Sequence, residues 1–189
     1  MSAWLVPDRH APYLCEMKLH LLIATGAVCL AFAPPTESRT RVGRTTGAAP
    51  RSIGRFEEWT SATHQEAGQQ VCYAFTRATA STPVLPGRGD VVLTVTQRPG
   101  AKDAVAISAG FAYPASAEVQ VAVEGTTVPF YTANRSAFAH DGRAAVNAFG
   151  RGRQAVARSP GPRNTVVSDS FSLRGFTQAY AAVNRACAK

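Results

Sequence analysis

From Phe56 onward, apolar side chains recur at every second position in several short runs, and each run stops at residues that favour turns. That period sends alternate side chains to opposite faces of an extended chain, so the runs predict half-buried β-strands. The clearest is Glu118-Val119-Gln120-Val121-Ala122-Val123-Glu124, whose three valines share one face while Glu118, Gln120 and Glu124 share the other. Gly125 permits a tight reversal, and Thr126 to Thr132 returns with Val128 and Phe130 alternating against Thr127 and Tyr131, which predicts a hairpin. Val71, Tyr73 and Phe75 share a phase, as do Val91, Leu93 and Val95; Val105, Ile107 and Phe111 follow the turn at Pro99-Gly100. Val156 and the run Thr165 to Leu173, with Val167, Phe171 and Leu173 in phase, complete the set. About seven or eight strands spaced by roughly 8–15 residues predict an antiparallel sandwich or barrel rather than a parallel α/β sheet. Arg143 to Phe149 reads as a short helix, with Ala145, Val146 and Phe149 on one side.

After Gly175 the period changes to 3.6. Phe176, Ala179, Tyr180, Val183, Ala186 and Cys187 fall on one face of a helix, for which Thr177 is the expected N-cap. A helix of about twelve residues is marginal alone, so it must dock on the strands to persist.

The chain of 189 residues suits one ordinary domain. Its first part has a different character. Met17-Lys18-Leu19-His20 opens an apolar stretch, Leu19 to Ala33, that ends in Ala31-Phe32-Ala33. A short basic region, an apolar run and a small-x-small site are the layout of a secretory signal, and the run is shorter than the roughly 20 residues of a spanning helix. Residues 1–33 are therefore expected to be leader and signal peptide, and translation starting at Met17 would account for the polar stretch before it. The mature form then carries no transmembrane span. Removing 1–33 takes away Asp8, Arg9, Glu16 and Lys18, so the net charge of +8 belongs to the exported part. Residues 34–55 hold Arg39, Arg41, Arg44, Arg51 and Arg55 against the single acid Glu37 and few large apolar groups. Such a segment cannot bury enough surface to offset its ordering entropy, which predicts a flexible Arg-rich arm before a sandwich domain over 56–189.

Two of the four cysteines, Cys15 and Cys29, precede the expected cut, leaving Cys72 in a strand and Cys187 at the helix end. In an oxidising compartment a residual pair predicts a disulfide, with two separate buried thiols as the alternative.

Catalytic constellations are sparse. The exported part has only His64 and His140 as histidines. His140, Asp141 and a distant Ser170 would make a hydrolase grouping, yet no Gly-x-Ser-x-Gly elbow surrounds any serine, and His140-Asp141-Gly142 reads more simply as a turn. His64 and Glu66 are isolated, and no CxxC or HExxH spacing occurs, so neither a metal nor another cofactor is expected. Asp169 stands in an apolar phase between Val167 and Phe171, the position of a buried, hydrogen-bonded acid. The aromatics Phe56, Trp59, Tyr73, Phe75, Phe130, Tyr131, Phe171 and Phe176 fall mostly in the inward phase, where they pack a core rather than stack on bases, and no nucleic acid is expected as partner.

Trp59-Thr60, Gln70-Val71-Cys72-Tyr73-Ala74, Leu93-Thr94-Val95-Thr96-Gln97-Arg98-Pro99, Ala109-Gly110-Phe111, Ser168-Asp169-Ser170-Phe171-Ser172-Leu173-Arg174-Gly175-Phe176-Thr177 and Cys187 occur in an order that resembles the invasion-associated locus B family of small exported bacterial proteins. The resemblance implies an immunoglobulin-like β-sandwich, here with a short C-terminal helix, in a periplasmic or envelope-associated protein without an established catalytic site. Where relatives often carry a Met-Lys-Lys-Gly-like stretch, this chain has Phe149-Gly150-Arg151-Gly152, which keeps the charge and adds a glycine. The expectation is an exported protein, periplasmic, envelope-associated or secreted, that binds an anionic envelope or host-surface component without turnover. Arg98, Arg151, Arg153, Arg158, Arg163 and Arg174 are the candidate contacts. The alternatives are an envelope structural or chaperone-like module that pairs a client strand along an open sheet edge, and a small periplasmic hydrolase.

Overall fold

The alternating runs become strands wherever one face has an apolar partner to meet. The computed structural model describes residues 49–188; the expected leader, signal peptide and first part of the arm lie outside the described residues. In chain order the strands are β1 (Arg51–Phe56), β2 (Trp59–Glu66), β3 (Gln69–Arg77), β4 (Ala80–Thr82), β5 (Val92–Arg98), β6 (Ala101–Ser108), β7 (Glu118–Val123), β8 (Thr126–Ala133) and β9 (Ser136–Ala139). Helix α1 (Gly142–Phe149), β10 (Gln154–Pro160), a 3-10 turn (Pro162–Asn164), β11 (Val166–Ser172) and α2 (Phe176–Ala186) follow.

These strands form one antiparallel sheet in the order β1-β2-β3-β5-β6-β9-β8-β7-β10-β11-β4. The sheet folds back on itself, because Leu93, Val95, Val105 and Ile107 from one half share a single core with Val121, Phe130, Ala155 and Phe171 from the other. Both halves thereby bury alternate residues against each other, which is the sandwich arrangement. The hairpin over 118–132 forms as expected, Val121 facing Val128 and Val123 facing Thr126.

Two expectations are corrected here. Arg51–Phe56 is strand β1, paired with β2, so the arm ends before Arg51 and the sheet begins inside the predicted 34–55 segment. Its apolar content is low because it is an outer strand, in which Arg51, Ser52 and Arg55 stay exposed. The phase of β3 is also the reverse of the one expected. Cys72, Ala74 and Thr76 face the core, while Tyr73 and Phe75, half-buried, stack on each other on the outer face with His64 edge-on to Tyr73; Val71 of that phase is nonetheless buried. Tyr131 likewise lies outward, stacked on Phe138.

Helix α2 explains the inversion. It packs on β1, β2 and β3, and the residues of β2 and β3 beneath it are small: Ser61, Cys72 and Ala74 are fully buried, and Ser61 Oγ donates to the Ala179 carbonyl at 3.0 Å. Large side chains on that face would hold the helix off, so the bulky members of β3 point out. Phe176, Ala179 and Val183 enter the core, Phe176 meeting Trp59 edge-on with ring centroids 4.9 Å apart. The helix is capped by Gly175, not Thr177. Gly175 sits at φ 86, and a Cβ there would collide with the Phe56 carbonyl, so glycine serves both the left-handed turn and the close approach. The short helix expected over 143–149 is α1, capped by Asp141, whose carboxylate accepts from the Ala144 N–H at 2.9 Å.

Candidate functional site

The two ends of the sandwich differ in how their polar groups are used. At one end lie the β2–β3 turn, the β5–β6 turn and the tip of α2. There Cys72 and Cys187 form the expected disulfide, with Cα atoms 6.0 Å apart, which closes a loop of 115 positions. Beside it Asp103, buried and at φ 56, receives hydrogen bonds on one carboxylate oxygen from Gln97 Nε2 (2.7 Å) and Tyr180 Oη (2.6 Å), while its own N–H donates to Gln97 Oε1. Burial and the hydrogen bond to Asp103 hold the Tyr180 hydroxyl above its ordinary pKa. This knot ties β5 and β6 to α2.

At the other end lie the segments 83–91, 109–117, 134–135 and 161–165. Their anchor is Asp169, whose two carboxylate oxygens accept from Arg88 Nη1 and Nη2 at 2.7 Å each. Ser81 Oγ donates a third bond to Asp169 Oδ1 at 2.6 Å, and Arg88 Nε donates to the Ala109 carbonyl at 2.7 Å. The pair is nearly sealed, with side chains 6% and 2% exposed, so each charge needs the other. The expectation of a buried acid that holds a strand is met, and Ser81 belongs to β4 at the sheet edge. The Arg88 guanidinium also lies 4.9 Å over the Phe111 ring. Phe111 itself is a loop residue beyond β6, clustered with Ala109 and Val167. Tyr113 packs edge-on against Phe111, and burial, together with the Asp169 carboxylate, pushes its hydroxyl up to about 12.

Above this anchor is a cavity of about 360 Å³ lined in part by Leu85, Arg88, Phe111, Arg135, Pro162 and Arg163. Arg135 Nη2 donates to the Gly110 carbonyl at 2.6 Å. Arg163 and Asn164 hold φ of 56 and 58, a left-handed pair of the kind that clusters at ligand contacts. The turn that carries them is closed by the Gly161 N–H to the Thr165 carbonyl (2.7 Å) and Thr165 Oγ1 to the Pro162 carbonyl (2.8 Å). Across this turn a second groove includes Arg158 and Val166.

The six candidate arginines do not form one face. Arg158 and Arg163 border the loop-end grooves. Arg98, at the end of β5, pairs with Glu66 at 2.9 Å, and Arg174, just after β11, with Glu57 at 2.7 Å; Arg151 and Arg153, between α1 and β10, have no acid within ion-pair distance among the described residues, only the Arg153 backbone N–H donating to Glu124. Arg135, Arg158 and Arg163 likewise have no acidic partner within ion-pair distance among the described residues. Sequence reasoning missed Arg88 and Arg135. The signal for Arg88 was Asp169 itself, since a carboxylate placed in an apolar phase requires a cation that reaches it.

The hydrolase grouping is not assembled. Asp141 caps α1, His140 packs against Tyr131, and Ser170 lies in β11, separated in the sheet from β9 by β8, β7 and β10. Among the described residues no cluster of three metal-ligating side chains occurs, and no helix is long and apolar enough to cross a membrane. The sheet ends at β1 and β4. β1 carries a register shift between Ser52 and Gly54, and β4 has only three residues, both features that discourage pairing with a further strand.

Among solved structures, the chain is similar to invasion associated protein B from Bartonella henselae, with a TM-score of 0.52 at 15% identity, covering 69% of this chain and 92% of that one. At this identity the likeness concerns the fold. No curated protein matches in sequence. Residues 59–184 match the family described as Invasion associated locus B (IalB) protein, a span that runs from Trp59 through the disulfide-bearing strand and the Asp169 strand into α2, and the chain belongs to that family.

Proposed function

We propose that this protein is an exported, non-catalytic binding protein of the bacterial periplasm or envelope that engages an anionic envelope or host-surface component. The observation that carries this reading is the gathering of Arg135, Arg158 and Arg163 around two adjoining grooves at the loop end, none with an acid within ion-pair distance among the described residues, whereas Arg98 and Arg174 are matched by acids and the unmatched Arg151 and Arg153 lie apart from these grooves. Unpaired surface charge of one sign draws counter-charged ligands and makes their binding dependent on salt. Export is supported by the signal-like segment before Pro34 and by the Cys72–Cys187 bridge, which an oxidising compartment preserves. The family relationship is consistent with a protein that acts at the boundary between bacterium and host.

The test is association of the mature protein with purified envelope fractions at low and high ionic strength. Retention at low salt and release at high salt is the expected result. Absence of retention, or retention indifferent to salt, overturns the anionic-ligand reading. Cell fractionation with free-thiol titration tests the location: a periplasmic product without reactive thiols is expected, and a cytosolic product that retains its leader and has Cys72 and Cys187 free would refute export.

A further inference from the structure

Only three large apolar side chains are strongly exposed among the described residues, and two of them are at the loop end: Val84 is 84% and Val166 63% exposed. Both flank the same strand pair: the last register pair of β4 and β11 is Thr82 with Ser168, and Val84 lies two residues beyond Thr82 while Val166 lies two residues before Ser168, so both chains leave this edge at the loop end. Val84 leads into Leu85 of the cavity that Arg135 and Arg163 flank, and Val166 follows the turn that carries Arg163. An exposed apolar pair beside two unmatched guanidiniums is the combination that an interfacial membrane contact uses, with apolar tips entering the acyl boundary and cations meeting lipid phosphates.

We propose that the loop end docks on an anionic phospholipid bilayer, Val84 and Val166 entering the interface while Arg135 and Arg163 contact headgroup phosphates. This inference rests on the anionic-ligand reading above and names its partner. Charge complementarity selects the occupant. The acids nearest the patch are already engaged or face elsewhere: Asp169 is sealed against Arg88, and Asp90 pairs with Arg77 at 3.2 Å. Glu118 stands on the outer face of β7, where Gln120 pairs with Arg158, so Arg158 has an acid diagonal to it and is left out of the contact set. The patch is also held in shape before it meets a surface. Arg88 joins the 83–91 segment to β11 through Asp169 and to the Ala109 carbonyl, and Arg135 ties the β8–β9 turn to Gly110. Little ordering is then required on contact.

The experiment is co-sedimentation of the mature full chain with phosphatidylcholine vesicles and with vesicles of equal parts phosphatidylcholine and phosphatidylglycerol. Binding to the mixed vesicles alone, reduced by salt, is expected. Replacing Arg135→Gln and Arg163→Gln together weakens it by about 25-fold, or about 5-fold for each charge. Arg163→Lys keeps the charge and retains binding. Val84→Asn, which adds no charge, weakens it by about 10-fold at high as well as low salt, because part of the contact is apolar. Arg151→Gln with Arg153→Gln, at the opposite end, leaves binding unchanged. Circular dichroism confirms that each variant is folded. Equal binding to both vesicle types, equal loss from the opposite-end pair, or full displacement by soluble glycerol phosphate overturns the proposal, the last by assigning a free phosphate pocket instead. Retention on dextran sulfate without vesicle binding sinks this inference and leaves the anionic-ligand reading standing; failure on both supports removes both.

Discussion

The helix end and the loop end of the sandwich are built from the same sheet, yet they treat charge in opposite ways. At the helix end, polar groups are matched internally: Asp103 holds Gln97 and Tyr180, Arg98 holds Glu66, and Cys72 is joined to Cys187. At the loop end the matching is one layer deep. Arg88 and Asp169 satisfy each other below the surface, and above them Arg135 and Arg163 have no acid among the described residues while Val84 and Val166 are bare. Departures from local rules occur at both ends, but at the helix end internal partners answer them, and where no internal partner does, the departure points to an outside one. The buried layer of the loop end supports the exposed layer, because it joins the 83–91 segment, β4 and Ala109 to β11 without using Arg163.

The most severe way to break this contrast is to remove the anchor. Asp169→Ala leaves the Arg88 guanidinium buried and uncompensated, for which a loss of about 3–5 kcal/mol is expected. The double replacement Arg88→Met with Asp169→Leu removes both charges and should cost far less. Urea unfolding of the two variants distinguishes a paired charge from simple packing: if the single and double variants are equally destabilised, the ion pair is not the anchor. The double variant should also bind vesicles poorly, since the Phe111 and Gly110 segment loses its support.

A smaller effect is expected from the other end. Reduction of Cys72–Cys187, or Cys187→Ser, should cost about 2–4 kcal/mol; the chain-entropy figure for a loop of 115 positions is of order 4–5, and α2 stays docked through Phe176 and Val183. Vesicle binding should be untouched at temperatures where the reduced protein is folded. Loss of binding on reduction would show that the two ends are coupled and would dissolve the comparison.

How much of this was legible in the sequence differs between the ends for a physical reason. Local periodicity revealed the 118–132 hairpin, the apolar face of α2 and the short α1, because each buries one face in a regular phase. It failed for β1, where Arg51, Ser52 and Gly54 give an outer strand no apolar alternation. It also failed for the phase of β3, since the demand for small side chains under α2 comes from a segment about 100 residues away and leaves no local mark. The disulfide followed from counting the cysteines left after export. The loop end was legible only through Asp169. Its partner Arg88 sits in a Pro-Gly-Arg-Gly stretch that reads as a turn, and the gathering of Arg135 with Arg163 arises from two turns joined only by the sheet order.

Alkaline pH sharpens the comparison, because each end contains a tyrosine with a raised pKa. Tyr113 is held at about 12 against an ordinary 10.0, first by burial and then by the Asp169 charge; Tyr180 is raised by burial and by its bond to Asp103. A raised folded-state value means that folding favours the neutral phenol. The associated stability is fully present below pH 10 and is lost as pH rises from there through about 12. Tyr113→Phe should therefore flatten the alkaline decline in unfolding midpoint more than Tyr180→Phe does. Equal flattening would mean that Tyr113 titrates freely.

The smallest expected change in stability is the most informative about the site. Arg163 and Asp103 share the same left-handed backbone, at φ 56 in both. An L-residue there costs about 1–2 kcal/mol, which glycine relieves, against about 0.5–1 kcal/mol for the greater freedom glycine has when unfolded. At Asp103 that relief is outweighed, because Asp103→Gly strands Gln97 and Tyr180 without their acceptor, and a net loss of about 2–4 kcal/mol is expected. At Arg163 no side-chain bond within the described residues opposes the relief, so Arg163→Gly should leave the unfolding midpoint within about 0.5 kcal/mol of the parent, or slightly above it. The same substitution should weaken binding to anionic vesicles about 5-fold. A residue whose strained conformation is kept without internal return, and whose loss is felt only by a ligand, is a contact residue; a loss at Arg163 as large as that at Asp103 would make it a structural one.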